Sequence, residues 1–426
     1  MQSSKWVTLL VGSLCLIAVA GMVGTQHLYY MAAILLALPM ISYMIGWYSL
    51  RGLDFHREIP SSAWEGEEGN IIYAVKNISP VSRFFLSIHE ALPSWIGHPE
   101  ESPLFNAVAQ ETARVVHPVR FRKRGVYQAK SFDITAMDPL GVFAFTKRIP
   151  CPAELVVYPM PKPLRAQALS GSERYGWQDF SSVLLKGTSV DPDGVRMYVP
   201  GDPLRRIHWR QTARTGKLSV IEFEEAQSIH LVILLDLQHG TEVGKGTETT
   251  LEYGVRLAAS SAQQAIQQGA QVSLRTAYSL DEDVDISGIH RAASQPARGQ
   301  EQLFLILDAL ARVEADVQES VSSVVLETIQ NIASGTTLLI ITSQPDEALA
   351  EALIHYTAMG ANVAVVYVDP VTFEGGQNRI KPEVASEFLL KLQAVHTHTF
   401  VLRQNPEGFL YPEVIGNGSQ NQSFTH

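Results

Sequence analysis

Residues 6–23, WVTLLVGSLCLIAVAGMV, and residues 29–50, YYMAAILLALPMISYMIGWYSL, are two apolar runs joined by a five-residue connector. None of the 45 residues between Lys5 and Arg51 is Asp, Glu, Lys or Arg. At about 1.5 Å per residue the runs span roughly 27 Å and 33 Å as helices, which is close to the hydrocarbon thickness of a bilayer. The sequence therefore predicts a two-helix membrane hairpin.

Basic residues flank this hairpin, with Lys5 before the first run and Arg51 and Arg57 after the second. The connector contains neither Lys nor Arg, so the positive-inside rule predicts that both ends of the hairpin lie in the cytoplasm. The alternative is a cleaved signal peptide, because residues 18–20, AVA, resemble a small-residue cleavage site. In that case residues 29–50 would remain as an anchor.

Composition bounds the rest of the chain. The net charge of −10, with 18% charged residues, argues against nonspecific binding of nucleic acid by the whole protein. Because Cys15 lies in the first apolar run and Cys151 has no soluble partner, no disulfide framework is expected. The predicted domains are the hairpin over 1–52, an antiparallel β-sandwich over 53–160, a signature segment over 161–226, an α/β domain over 227–410 and a polar tail over 411–426.

Two hydrophobic periodicities distinguish the soluble domains. Between residues 53 and 160, short alternating segments separated by turn residues favour an antiparallel sandwich. From residue 227 onward, continuous apolar runs alternate with amphipathic stretches, which is typical of a doubly wound parallel sheet that binds ligands at the carboxyl ends of its strands. The predicted strands are 230–236, 270–276, 336–342, 362–369 and 397–401, and the predicted helices are 249–268, 302–313, 317–332, 345–359 and 383–395.

The segment between these domains carries the most distinctive motifs, DGVRMYVPGDP at 193–203 and RIHWRQTARTGKL at 206–218. Together they resemble the signature of the bacterial family called domain of unknown function 58. Upstream, RGVY at 124–127 and DPLGVF at 138–143 are similar to that family's pattern as well. The signature positions are Arg196, Tyr198, Gly201, Asp202, Arg206, His208, Trp209 and Arg214.

The resemblance implies a membrane hairpin, a β-sandwich and a C-terminal domain similar to the von Willebrand factor type A fold. It also implies association with an AAA+ ATPase of the MoxR type, and it implies no known reaction. We therefore expect a noncatalytic adaptor in the bacterial plasma membrane, with cytoplasmic soluble domains, that connects such an ATPase to protein clients. No cofactor is expected.

The implied type A fold usually holds a divalent metal through an Asp-x-Ser-x-Ser loop, a later Thr and a later Asp. In this chain the first loop reads DLQHG from Asp236, so that Gln238 and Gly240 replace the two hydroxyls. Ser343 stands where the later acid would serve. Because Mg²⁺ prefers near-octahedral oxygen ligands with charge compensation, this set favours a structural Asp236 that caps a neighbouring helix. A functional metal site is the alternative.

A basic cluster overlaps the signature, and three explanations of it stay open. It can bind phosphate, anionic lipid, nucleic acid or a carboxylate on a partner. It can pair internally with the acids at 191, 193, 202, 222, 224 and 225. His208 with Asp202 could also serve as the acid–base pair of a hydrolase-like enzyme, although no nucleophile elbow, phosphate loop or zinc spacing accompanies them. The cluster consists of Arg205, Arg206, His208, Arg210, Arg214 and Lys217.

We further expect five signature residues to form a hinge between the sandwich and the C-terminal domain. Residues 200–203, PGDP, favour a tight turn, since Pro fixes one backbone dihedral and Gly permits positive φ. In such a hinge Trp209 would be mostly buried, and His208 would form hydrogen bonds rather than catalyse. The expected hinge residues are Arg196, Asp202, His208, Trp209 and Arg214.

Overall fold

The computed structural model describes residues 3–94, 96–97, 103–162, 180, 183–184, 192–199, 207–223, 229–276, 293–330, 335–358, 362–377, 380–394, 397–405, 410 and 412–414. The chain divides into two compact units, residues 1–158 and 159–426.

An apolar helix pair opens the first unit, as the sequence predicts. Helix α1 spans Ser3–Val23 and helix α2 spans Gln26–Ser49, with Pro39 inside α2. By length and composition α2 can cross a membrane, whereas Leu10–Val23 of α1 is a shorter apolar stretch. The helix pair is therefore confirmed, and the crossing of a membrane by both helices stays a prediction.

Two β-sheets follow the helix pair. One sheet has the order β1-β3-β7-β5, and the other has the order β2-β9-β8-β4-β6. All neighbouring strands are antiparallel except β2 and β9, which pair in parallel. The strands are β1 Leu53–Glu58, β2 Ser62–Trp64, β3 Glu68–Asn77, β4 Arg83–His89, β5 Ile96–Gly97, β6 Phe105–Ala107, β7 Thr112–Phe121, β8 Gly125–Met137 and β9 Ala144–Tyr158.

The two sheets enclose one apolar core. Ile71, Tyr73 and Val75 alternate inward along β3, and they share a buried cluster with Phe132 and Ile134 of β8. This two-residue period is what a strand requires when one face packs against a second sheet and the other meets solvent. The sandwich expected from the sequence is therefore present within residues 53–158.

Among its described residues the second unit contains a short strand pair, followed along the chain by an α/β sheet. Its elements are β10 Pro192–Met197, α3 Trp209–Thr215, β11 Ser219–Phe223, β12 His230–Leu235, β13 Gly244–Lys245, β14 Glu248–Thr249, α4 Thr250–Gln267, β15 Gln271–Thr276, α5 Gln300–Arg312, α6 Val321–Gln330, β16 Thr336–Thr342, α7 Glu347–Ala358, β17 Asn362–Val368, a 3₁₀ turn Pro370–Thr372, α8 Pro382–Ala394, β18 His398–Leu402 and β19 Pro412–Val414.

The main sheet has the order β15-β12-β16-β17-β18-β19. The first five strands are parallel, which confirms the predicted parallel sheet, and β19 pairs antiparallel with β18. The sheet thus extends past residue 410, where we expected a polar tail. Pro412 lies opposite Leu402 on the edge strand, the kind of position to which Pro is largely confined in sheets.

Helices pack on both faces of this sheet. Val232 and Leu234 point into a core shared with α6, α7 and α8. On the opposite face, a Cβ added at Gly254 of α4 would lie 3.1 Å from Leu235. After β12 the next strand of the main sheet along the chain is β15, which pairs on one side of β12, and the one after it is β16, which pairs on the other side. The gap between β12 and β16 is therefore a topological switch point, the usual ligand position in open α/β sheets.

Candidate functional site

The switch point brings together the ends of two neighbouring parallel strands. Asp236 directly follows β12, and Thr342 is the last residue of β16. The Thr342 hydroxyl donates to Oδ2 of Asp236 over 2.7 Å, and the backbone N–H of Gln238 donates to Oδ1 over 3.0 Å. The carboxylate therefore ties the loop after β12 to the neighbouring strand.

A small cleft opens beside this carboxylate, with Asp236, Thr241, Thr342 and Ser343 in its lining. It has room for about one water molecule. The Thr241 hydroxyl donates to the carbonyl of Gln238 over 2.8 Å, and the Ser343 hydroxyl donates weakly to the carbonyl of Thr241 over 3.4 Å. Because these hydroxyls donate to backbone carbonyls of the loop, they are not arranged around a common ligand.

Electrostatics at the cleft also favour a structural carboxyl. Burial raises the pKa of Asp236 above its usual value, and the nearby Asp346 carboxylate adds to the rise, although the bonds from Thr342 and Gln238 oppose it. One carboxylate with the amide of Gln238 and the hydroxyl of Ser343 offers Mg²⁺ only a single negative charge, so this donor set fits the ion poorly. We expected Asp236 to cap a helix. Instead it holds a loop, because its nearest donors are Gln238 and the strand-end hydroxyl of Thr342.

The second place of interest is the signature segment, where β10 and β11 form an antiparallel pair and α3 lies between them in the chain. Ile207 is buried and bridges Val220 of β11, and the N–H of His208 donates to the carbonyl of Ser219 over 2.8 Å. Tyr198, half-buried, donates its N–H to Leu218 over 2.9 Å. These bonds fix the start of α3 against the strand pair.

His208 is the N-cap of α3. Its Nδ1 accepts the backbone N–H of Gln211 over 3.0 Å, which satisfies one of the donors that a helix start leaves unpaired. At the other end Gly216 adopts φ of 69°, the left-handed conformation that ends many helices. The expectation that His208 forms a structural hydrogen bond is confirmed, whereas Asp202, its partner in the alternative acid–base pair, lies outside the described residues.

Trp209 is 67% exposed, so the prediction that it is buried is wrong. None of the seven residues of α3 is buried. The helix is held by backbone and capping bonds and by the neighbouring Ile207, and these leave the indole free to face outward. An exposed Trp beside cationic side chains is unusual for a structural hinge, since a buried ring would contribute far more to its stability.

Three cationic residues follow this Trp closely in the chain. Arg210, Arg214 and Lys217 are exposed, and none of them forms an ion pair with an acid whose side chain is described. The backbone of Arg196 lies in β10 opposite Val220. Gly201, Asp202 and Arg206, together with the side chains of the acids expected to neutralise the cluster, lie outside the described residues.

One family match covers both helix α3 of the signature segment and the Asp236 cleft. Residues 194–370 match the family described as Protein of unknown function DUF58. The matched range runs from β10 through β17, so it includes both Trp209 and the Asp236 cleft. It does not include the RGVY and DPLGVF motifs of the sandwich.

An uncharacterized protein of Bacillus subtilis (strain 168), YeaD, is 25% identical over 213 residues, which cover 47% of this chain and 52% of that protein. The chain thus spans about half the length of this relative.

Solved structures show only remote likeness. Native alpha-2-macroglobulin of Escherichia coli, from domain MG7 to the C-terminus, is 13% identical over 25% of this chain and 16% of that chain, with a TM-score of 0.21. A protein of unknown function from Porphyromonas gingivalis W83 is 15% identical over 27% of this chain and 51% of that chain, with a TM-score of 0.19. Scores this low carry no argument about fold or function.

Sequence reasoning missed a polar cluster inside the sandwich. The guanidinium of Arg57 contacts the carboxylate of Glu90, and both side chains are fully buried. The hydroxyls of Tyr73 and Tyr127 donate to the same carboxylate, the latter over 2.7 Å. Arg57 and Tyr73 lie opposite each other in the pairing of β1 with β3, which the sequence of these two strands could have suggested. Their partner Glu90 could not be placed in the same way, because it follows a strand of the other sheet.

Proposed function

We propose that this protein is a membrane-anchored, cytoplasm-facing adaptor that binds a protein partner through α3 and its neighbours. The observation that carries the proposal is the exposure of Trp209, Arg210 and Arg214 on one short helix whose start is capped by His208. Trp and Arg are the side chains most enriched among the residues that dominate binding energy in protein interfaces. A rigid presentation lowers the entropy lost on binding.

The nature of the partner is proposed from the family resemblance. The signature implies an AAA+ ATPase of the MoxR type as the immediate partner and protein complexes as its clients. It also implies a type A-like C-terminal domain, and open α/β sheets bind their ligands at the carboxyl ends of the strands. In this proposal the Asp236 cleft stabilises that end of the sheet and does not hold a metal.

The anchor is the apolar helix pair, which we propose to be a hairpin in the bacterial plasma membrane with both ends cytoplasmic. The charge-free runs at 6–23 and 29–50 and the basic residues Lys5, Arg51 and Arg57 on either side of them support this topology. Fusions to alkaline phosphatase test it. We expect activity from a fusion within the connector at residues 24–28 and none from a fusion after Leu53; the reverse pattern would overturn the topology.

Partner binding is tested by affinity purification of the tagged full-length chain from gently solubilised membranes. Trp209→Ala should abolish co-purification of an AAA+ ATPase and leave the melting temperature unchanged. Arg120→Ala, an exposed Arg on the sandwich, is the matched control and should retain the ATPase. Equal recovery of the ATPase with parent and Trp209→Ala would contradict the proposal.

A second candidate function is binding of an anionic lipid or nucleic acid by the same surface, favoured by the exposure of Arg210, Arg214 and Lys217. Such binding would weaken steeply with salt, because each phosphate contact releases counterions. Binding to anionic vesicles or to oligonucleotides that falls by orders of magnitude between 50 and 200 mM salt, and that is lost in Arg210→Ala, would favour this candidate over the adaptor.

A further inference from the structure

Helix α2 is attached to the sandwich well before its C-terminal end. The hydroxyl of Ser42 donates to the buried carboxylate of Asp138, which lies in the turn between β8 and β9. Tyr43 makes edge-to-face contacts with Phe143 and Phe145, whose ring centroids lie 5.4 Å and 5.1 Å away. The turn therefore packs along the helix at the level of residues 42–46.

This level lies deep along α2. Arg51 lies nine positions after Ser42 and just beyond the end of the helix, which corresponds to about 13.5 Å at the helical rise per residue. Trp47 and Tyr48 lie within this stretch, and the guanidinium of Arg51 stacks on Trp47 at 3.7 Å. Aromatic and basic residues of this kind mark the interface between lipid and water in membrane helices. If α2 spans a bilayer, the β8–β9 turn must therefore enter the headgroup region beside it.

The same end of the sandwich carries an exposed apolar surface, which we call the sandwich tip: Ile78, Val81, Phe84, Phe85 and Leu140. Leu86 of β4 lies opposite Ala136 of β8, so the residues that precede Leu86 and those that follow Ala136 share one end of the sheet.

Two neighbouring Phe residues expose their rings on this tip, 52% for Phe84 and 42% for Phe85. A regular strand would turn one of them inward, but the pairing of β4 with β6 is irregular between Arg83 and Leu86. Phe85 adopts φ of 56°, a conformation that costs an L-residue free energy. Strain of this kind persists in proteins chiefly at functional positions.

Charge is almost absent from the two segments that form the tip. Residues 77–88 and 134–146 contain one Arg and one Asp, Arg83 and Asp138, and these are only 3% and 2% exposed. Both serve to hold α2: Arg83 donates to the carbonyl of Arg51 over 3.3 Å and stacks on Tyr48, and Asp138 accepts from Ser42. Near the same end of the sandwich Asp54, Lys76 and Glu111 are exposed, and all three lie in or next to strands of the other sheet.

From these observations we propose that the sandwich tip is a second membrane contact, in which Ile78, Val81, Phe84, Phe85 and Leu140 insert into the boundary between lipid headgroups and acyl chains. The partner is the bilayer itself, because the tip continues the lipid-facing surface of α2 and has no exposed charge in its two segments. Interfacial insertion of apolar side chains typically reaches about 5–10 Å. Ser42, where the turn meets α2, lies five positions before the interfacial Trp47, which is about 8 Å along the helix axis. The inference rests on the proposed membrane anchor, and it gives the sandwich a fixed orientation on the membrane.

Depth measurement by site-directed spin labelling tests the inference. The full chain, with Cys15→Ser and Cys151→Ser, receives one nitroxide label through Phe84→Cys or Leu140→Cys and is reconstituted in lipid nanodiscs. Ala37→Cys, on the exposed surface of α2, reports the membrane anchor. Val116→Cys, an exposed apolar position in the other sheet, is the matched control. Collision with oxygen reports lipid, and collision with a water-soluble nickel chelate reports water.

We expect labels at 84 and 140 to collide with oxygen in preference to nickel, as the label at 37 does, whereas the label at 116 prefers nickel. Labels at 84 and 140 that behave like the one at 116 would overturn the inference. Protection from both reagents would also overturn it, because the tip would then be covered by protein, such as a second copy of the chain. A label at 37 that meets water would instead refute the anchor. Melting temperatures equal to that of the cysteine-free parent show that each variant is folded.

Discussion

A single carboxylate in the sandwich core serves three donors. Glu90 neutralises Arg57 and accepts hydrogen bonds from Tyr73 and Tyr127. The Arg57 guanidinium also donates to the backbone carbonyl of Cys151, so the cluster joins both sheets. A buried charge of this kind is tolerated only while its partner remains, because removing one member leaves the other desolvated and uncompensated.

Glu90→Ala is therefore expected to lower the free energy of unfolding by about 3–5 kcal/mol, since Arg57 would stay buried without a counter-charge. Thermal and urea denaturation of the full-length protein in detergent measure the change. Asp133→Ala is the control, because it removes an exposed ion pair with Arg148 and should change stability little. If the two variants melt alike, the buried cluster does not stabilise the sandwich.

The two tyrosines of this cluster make stability depend on alkaline pH. Burial raises the pKa of both Tyr73 and Tyr127 above the usual value, and the neighbouring Glu90 carboxylate adds to the rise. In the unfolded chain tyrosine titrates near pH 10, so above that pH the unfolded state loses protons that the native state keeps. The free energy of unfolding should then fall as pH rises from 10 towards the higher native pKa values.

Urea denaturation at pH 8.5, 10 and 11 measures this slope. Tyr127→Phe should make the loss of stability above pH 10 shallower, because one of the shifted groups is gone. Tyr253, whose pKa is raised to about 12 by burial and by its hydrogen bond to Glu248, remains in this variant and should retain part of the slope. A slope that is identical in parent and Tyr127→Phe would argue against coupling of this tyrosine to folding.

Among the elements, α2 depends on a glycine for its contact with the sandwich. A Cβ at Gly46 would lie 2.6 Å from a ring carbon of Phe145, closer than unbonded atoms approach. Gly46→Leu should therefore displace the β8–β9 turn and lower the melting temperature in detergent, even though Leu favours helix over Gly by up to about 1 kcal/mol. Gly21→Leu in α1 is the control, because its nearest neighbour, Tyr29, lies 3.8 Å away. A melting temperature that rises in both variants would mean that the turn does not pack on α2.

The stability of helix α3 depends on its N-cap residue, His208, rather than on Trp209. His208→Ala removes the acceptor for the N–H of Gln211 and should cost about 0.5–2 kcal/mol. Trp209→Ala removes an exposed ring and should cost little. Thermal denaturation ranks the two variants. If Trp209→Ala destabilises the protein more than His208→Ala does, the ring contributes to folding. Its exposure would then no longer support the proposal that Trp209 docks a protein partner.

At the scale of the whole molecule, much of the fold could be predicted from the sequence, because hydrophobic periodicity reports burial directly. The charge-free runs predict the helix pair, and the two-residue period of β3 predicts a half-buried strand. The continuous apolar run at β12 predicts a strand that is buried on both faces. Strand β19 could not be predicted, because Pro412–Val414 is too short to show any period.

The sites were less predictable, since they depend on which residues meet. His208 at the start of a helix could be expected to form hydrogen bonds, but the sequence could not tell whether Trp209 faces the core. Burial of Trp209 was inferred from its size alone, yet a seven-residue helix held by its cap offers no core to bury it. The bond between Asp236 and Thr342 joins residues more than a hundred positions apart, and only the register of two parallel strands brings them together.

The central claim is that Trp209 is a protein-docking residue on the cytoplasmic side of a membrane-anchored adaptor. Site-specific photo-crosslinking in living cells tests it most directly, with a photoreactive amino acid in place of Trp209 in the full-length chain and, as control, in place of Val116. We predict a crosslink at 209 to an AAA+ ATPase identified by mass spectrometry, and no such adduct at 116. Adducts at 209 that contain only lipid or nucleic acid, or the same proteins captured from both positions, would contradict the account.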